Sequence, residues 1–151
     1  MLKHSDYENA LKLICDEISN FPKNLQPISF YRAGKIGSPG ISDLDIIFGF
    51  KDDFFYGKHF INLFNQVKVK IKHHDILFLH LPHIFPKSLL KKLPYFSFNP
   101  TNELDLIFGE EVLSPNVEIS NEQTLLRSME FLHSRIIDLL IQTFTRNTNQ
   151  N

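Results

Sequence analysis

The sequence contains a single cysteine, Cys15. No disulfide can form within the chain, and the cytosol, where thiols stay reduced, is the expected compartment. Cys15 lies in an apolar helical pattern and reads as a small core residue. No uncharged apolar run is long enough to span a bilayer, so no membrane partner is expected. The opening Met1-Leu2-Lys3-His4-Ser5-Asp6 carries charges where a secretory leader needs an apolar stretch, and no leader is expected. There is no excess of charge of one sign, the formal net charge being -1. That argues against a protein whose main partner is duplex nucleic acid, which needs a basic field. Internal repeats and low-complexity segments are absent from the sequence.

What is present suits one domain. The 151 residues are 42% apolar, and phenylalanine is frequent at 15. Ala10, Leu11, Ile14, Cys15 and Ile18 predict a helix over Tyr7 to Phe21, with Asp6 as its cap and Pro22 as its stop. Ile28 to Ala33 predicts a strand, and Leu44 to Phe50 a second one, buried on both faces and pairing with the first. Phe55, His59, Leu63, Phe64 and Val67 match a helix between Asp52 and Val69. Val69 to Leu81 (VKIKHHDILFLHL) predicts a strand. Pro82 to Pro100 is broken by prolines around a short helix at Lys87 to Lys92, and Glu103 to Val112 is short and apolar. Ser120-Asn121-Glu122-Gln123 has the form of a capping box, and Leu125, Met129, Leu132, Ile136, Leu139 and Leu140 continue it as a long helix. The expected class is α/β or α+β, with a domain over 1–119, a C-terminal helix over 120–146 that packs on it or on a partner, and a disordered tail at 147–151.

Two carboxylates, Asp43 and Asp45, stand one residue apart at the start of the second strand. Residues two apart in a strand share a face, and like charges that close repel unless a cation lies between them. Asp75 interrupts the expected strand at His73-His74-Asp75-Ile76, where an unpaired charge is costly. If that strand lies beside the Asp43 strand, Asp43, Asp45 and Asp75 converge on a magnesium or manganese site, and the chemistry is metal-assisted phosphoryl displacement. Upstream, Gly34, Gly37 and Gly40 lack Cβ atoms and let backbone N–H groups approach a phosphate; Lys35 adds a point charge, and Ser38 and Ser42 add hydroxyls. The plainer reading of Ser42 and Asp43 is a turn or a cap. His73, His74, His80 and His83 lack the spacing and the cysteines of a zinc site, and His73 reads as a neighbour of Asp75. Lys68, Lys70 and Lys72 alternate and read as a solvated strand face.

The order AGKIGSPGISDLDII followed by HHDILF resembles the DNA polymerase beta-like nucleotidyltransferase superfamily over Ile28 to about Leu79. Gly34 matches its turn glycine, Asp43 and Asp45 its paired carboxylates, and Asp75 its third acid. Lys35 stands where the family usually has Ser or Gly, and the loop to Asp43 is shorter than usual. The resemblance implies a mixed sheet flanked by helices. It also implies transfer of a nucleoside monophosphate from a nucleoside triphosphate to a hydroxyl, with pyrophosphate leaving. Asp43 and Asp45 would then bind the metals, while Asp75 completes the site and helps deprotonate the acceptor. The acceptor is a small molecule or a protein, as in small antitoxins of this family that modify a helical partner. The alternative is a binding module of the same fold, holding nucleotide or a partner protein without turnover. RNA-end modification is a third option, disfavoured by the near-neutral charge. A homodimer through the C-terminal helix is a further expectation.

Overall fold

A computed structural model describes residues 2–54, 57–92, 104–113, 120–126, 128, 129, 132, 133 and 136. Helix α1 (His4–Ile18) leads into a 3-10 turn (Lys23–Leu25) and strand β1 (Ser29–Ala33). Strand β2 (Asp45–Phe50), helix α2 (Gly57–Lys68), helix α3 (His74–Leu77), strand β3 (His83–Pro86), helix α4 (Lys87–Leu90) and strand β4 (Leu104–Gly109) follow. The strands form one mixed sheet in the order β3-β2-β1-β4. β1 pairs antiparallel with both β2 and β4, and β2 pairs parallel with β3. A parallel pair needs a crossover, and α2 with α3 supplies it. The class is mixed α/β. Among the described residues no helix is long and apolar enough to cross a membrane.

Period decides which side of each element is buried. α1 buries Tyr7, Ala10, Leu11, Ile14 and Ile18, spaced three and four apart. Asp6 stabilises its start from inside the first turn: the carboxylate accepts the Lys3 N–H at 2.8 Å. α2 buries Phe60, Phe64 and Val67 by the same rule. Both helices cover one face of the sheet, where Phe30, Ile46, Phe48 and Phe50 point. The phenylalanines make this core aromatic. Phe30 stacks on Phe48 with ring centroids 4.8 Å apart, and Phe60 and Phe64 make T-shaped contacts with Phe48 at 4.9 and 5.7 Å. Cys15 packs against the same cluster, and burial pushes its thiol up from the ordinary value.

The opposite face is smaller: Tyr31, Ile47, Leu90, Val112 and Leu113. The Tyr31 hydroxyl donates to Glu111 Oε1 at 2.9 Å and accepts the Val112 N–H at 2.8 Å, so it holds the chain leaving β4. Arg32 braces the neighbouring elements, pairing with Asp105 on β4 and lying 3.8 Å from Glu8 on α1.

The expected strand over Val69 to Leu81 does not form. A helical turn spacing governs it instead, with Ile71, Leu77 and Phe78 buried while Val69, Ile76, Leu79 and Leu81 are exposed. The backbone bonds Val69 N–H to Asn65 O and Ile71 N–H to Lys68 O carry α2 into a turn. His73, at φ 61°, then starts α3. The lysines of this stretch separate accordingly: Lys68 Nζ donates to Phe78 O at 2.9 Å, and Lys70 pairs with Glu17. The parallel strand is β3, inside the proline-broken stretch. It lies at the sheet edge, where prolines at a strand's margins are tolerated. Residues 121–126 are helical, and the expected capping box is formed: Gln123 N–H donates to Ser120 Oγ at 3.2 Å and Ser120 N–H to Gln123 Oε1 at 3.0 Å. Leu125, Met129, Leu132 and Ile136 are exposed. Leu139, Leu140 and the polar tail at 147–151 lie outside the described residues.

Two outcomes follow from this packing. Phe48→Ala removes the ring that Phe30, Phe60 and Phe64 all touch, and should cost about 3–5 kcal/mol in urea unfolding. For Tyr31, burial raises the phenol pKa above its ordinary value, the Glu111 carboxylate adds to the rise, and the Val112 N–H opposes it. A raised folded pKa means that stability is full below the unfolded pKa of about 10 and is lost as pH climbs through the folded value. Tyr31→Phe should therefore flatten the alkaline loss of stability, while costing about 1–3 kcal/mol at neutral pH through the unpaired Val112 N–H.

Candidate functional site

The antiparallel register of β1 and β2 sets Ala33 opposite Asp45. The connection over residues 34–44 therefore leaves and returns at one end of the sheet. Gly34 and Gly40 have φ of 74° and 89°, the left-handed region that favours glycine. A Cβ at Gly34 would meet nothing within 4 Å, so the backbone angle, and no neighbour, selects glycine there. Gly37 has no such angle, and a Cβ would make only ordinary contact with Ser42 Oγ.

The second half of the connection folds on itself. The N–H groups of Ile41 and Ser42 both donate to Ser38 O at 3.0 Å, and Ser38 N–H donates to Ser42 Oγ at 3.2 Å. The Tyr7 hydroxyl on α1 donates to Ser42 O at 2.6 Å and accepts Gly40 N–H at 3.0 Å. On the far side Leu44 N–H donates to Leu77 O, in α3, at 2.7 Å. Asp43 thus lies between two pinned neighbours. The N–H groups of Ile41, Ser42 and Ser38 are used within the connection, and that of Gly40 by Tyr7. Those of Lys35, Ile36 and Gly37 meet no acceptor among the described residues, and Lys35 itself is exposed. A phosphate cradle in this connection is therefore narrowed to residues 35–37. The Ser42 hydroxyl serves the turn, which is its plainer reading.

The carboxylates divide. Asp45 opens β2, half-buried, on the sheet face that carries Tyr31 and Ile47. β2 starts at Asp45, so Asp43 falls in the connection and the shared strand face expected for the pair does not apply to it. The Asp43 side chain is one-quarter exposed, with His80 Nε2 3.7 Å from its Oδ2. His80 arrives from the segment between α3 and β3, which the parallel pairing of β3 with β2 draws to this end of the sheet. Asp75 stands exposed in the first turn of α3. The premise of a charge held inside an apolar strand is gone, since solvent reaches it. Among the described residues no three His, Cys, Asp or Glu side chains gather closely enough to hold a metal ion, and the expected convergence of Asp43, Asp45 and Asp75 is not formed.

Tyr7, the Leu77 carbonyl and His80 are the participants missed by sequence reasoning. Tyr7 occupies an apolar position of α1, and a hydroxyl at a core position is its one visible sign. Nothing in the sequence marks the Leu77 carbonyl. His80 is flagged by composition alone. A comparison of the chain with family models, curated proteins and solved structures finds no match.

Proposed function

We propose that this chain is a divalent-cation-dependent nucleotidyltransferase. It would transfer a nucleoside monophosphate from a nucleoside triphosphate to a hydroxyl of a small molecule or a partner protein. The observation that carries the reading is the return of the glycine connection at Ala33 opposite Asp45, with Asp43 pinned just before β2. The donor set fits Mg2+ or Mn2+. Magnesium is usually held by one or two carboxylates plus substrate phosphates, so a third protein ligand is not needed. When bound, such a cation would be held by Asp43 and Asp45 and would neutralise charge developing on the transferring group. Asp43 and Asp45 supply hard oxygen ligands. The N–H groups of residues 35–37 and the Lys35 ammonium meet the remaining phosphate oxygens. The acceptor oxygen bonds to the α-phosphorus as the bond to the β-phosphate oxygen breaks. Pyrophosphate leaves, and the acceptor proton passes to a base.

The second reading is a nucleotide-binding or partner-binding module without turnover. The exposed position of Asp75 on α3 favours it, because the resemblance assigns that residue the completion of the site.

Calorimetric titration with Mg-bound non-hydrolysable ATP, GTP, CTP and UTP analogues tests the first step. Binding should require the metal and weaken at least about tenfold in Asp43→Asn and in Asp45→Asn. Unchanged affinity in both variants sinks the assignment. A pyrophosphate-release assay with hydroxyl acceptors then separates the two readings, since the module binds nucleotide and releases none.

A further inference from the structure

We infer that Tyr7 is a positioning residue, a clamp built into α1 that fixes the β1–β2 connection and, on the functional reading above, sets where Asp43 stands. Three observations carry this. First, Tyr7 is fully buried at 0% exposure in a core cluster otherwise built from aliphatic and phenylalanine side chains. Phenylalanine would fill that place equally well, and burying a hydroxyl costs free energy unless it is hydrogen-bonded. Second, the hydroxyl uses both its capacities on one short segment, donating to Ser42 O at 2.6 Å and accepting Gly40 N–H at 3.0 Å. Third, that segment has little apolar anchorage of its own. Ile41 is 85% exposed, and the internal bonds of residues 38–42 close a turn without tying it to the domain.

The geometry makes the consequence specific. Ser42 O is held by Tyr7 and Leu44 N–H by Leu77 O, the residues on either side of Asp43. Helix α1 on one side and α3 on the other thus fix the backbone that carries the carboxylate. Placement ahead of binding removes an ordering cost that a mobile loop would bear. Tyr31 uses its phenol in the same way on the other face, holding Val112.

Tyr7→Phe keeps the ring and deletes both bonds. The variant should melt within a few degrees of wild type. Hydrogen exchange at the amides of Gly40 to Ser42 should accelerate about tenfold or more, with α1 and β2 amides unchanged. Affinity for the Mg-bound ATP analogue should fall about tenfold, and Tyr7→Phe added to Asp43→Asn should cause no further loss. Unchanged exchange at Gly40 to Ser42 overturns the clamp. Accelerated exchange with unchanged affinity overturns the positioning of Asp43. Accelerated exchange in a protein whose wild type binds no nucleotide upholds the clamp and removes the functional reading instead. If the variant fails to fold, the wild type decides: a Tyr7 hydroxyl proton slow enough to be seen by NMR, with a cross-peak to the Gly40 amide, upholds the clamp, and a freely exchanging one overturns it.

Discussion

The stack of Phe30 on Phe48 sets the register on which this molecule depends. The two residues are directly opposed across the β1–β2 ladder and their rings lie 4.8 Å apart. A slip of one residue would turn Phe48 toward the Tyr31 face and bring Ile47 into the aromatic core. With the register fixed, Ala33 must face Asp45, and the connection between them must begin and end at one edge of the domain. The position of the paired acids is therefore a consequence of core packing several residues away. Phe60 and Phe64 lock the same ring from α2, so the helix of the crossover and the register of the hairpin are stabilised together.

The two sheet faces divide the work. The α1–α2 face carries the aromatic cluster. The other face has few buried side chains, and there Tyr31 holds the exit from β4. Asp45 opens onto this second face, while Asp43 is fixed from the first through Tyr7. The pair thus straddles the end of β2. One carboxylate is placed by the strand and the other by helices that contact the loop. That arrangement explains why a rule drawn from strand geometry alone describes Asp45 and misses Asp43.

The helices legible in the sequence are those whose burial follows one period for several turns. α1 and α2 show it, while β1 and β2 were legible as short continuous apolar runs buried on both faces. The capping box at Ser120 was legible because it depends on two side chains three residues apart. Residues 69–81 misled because alternation and helical spacing coincide over short apolar runs, and only tertiary burial of Ile71, Leu77 and Phe78 chooses between them. β3 was hidden by its flanking prolines, which mark an edge strand as readily as a loop. In the candidate site, the turn glycines and the two acids were readable. The contacts that hold them were not, because Tyr7 to Ser42 and Leu44 to Leu77 join residues far apart in the chain.

The charged groups near this end of the sheet are paired unevenly. Arg32 is close by in sequence, yet it is engaged with Asp105 and Glu8. The side chain beside Asp43 is the imidazole of His80, which is 72% exposed at a separation of 3.7 Å. A pair so open to solvent is worth little, because water and salt screen it. On the proposed function, a divalent ion would have only this weak contact to displace, while the backbone of Asp43 is fixed through its two neighbours. A carboxylate held firmly by its backbone but paired weakly by its side chain is what the proposed cation would need.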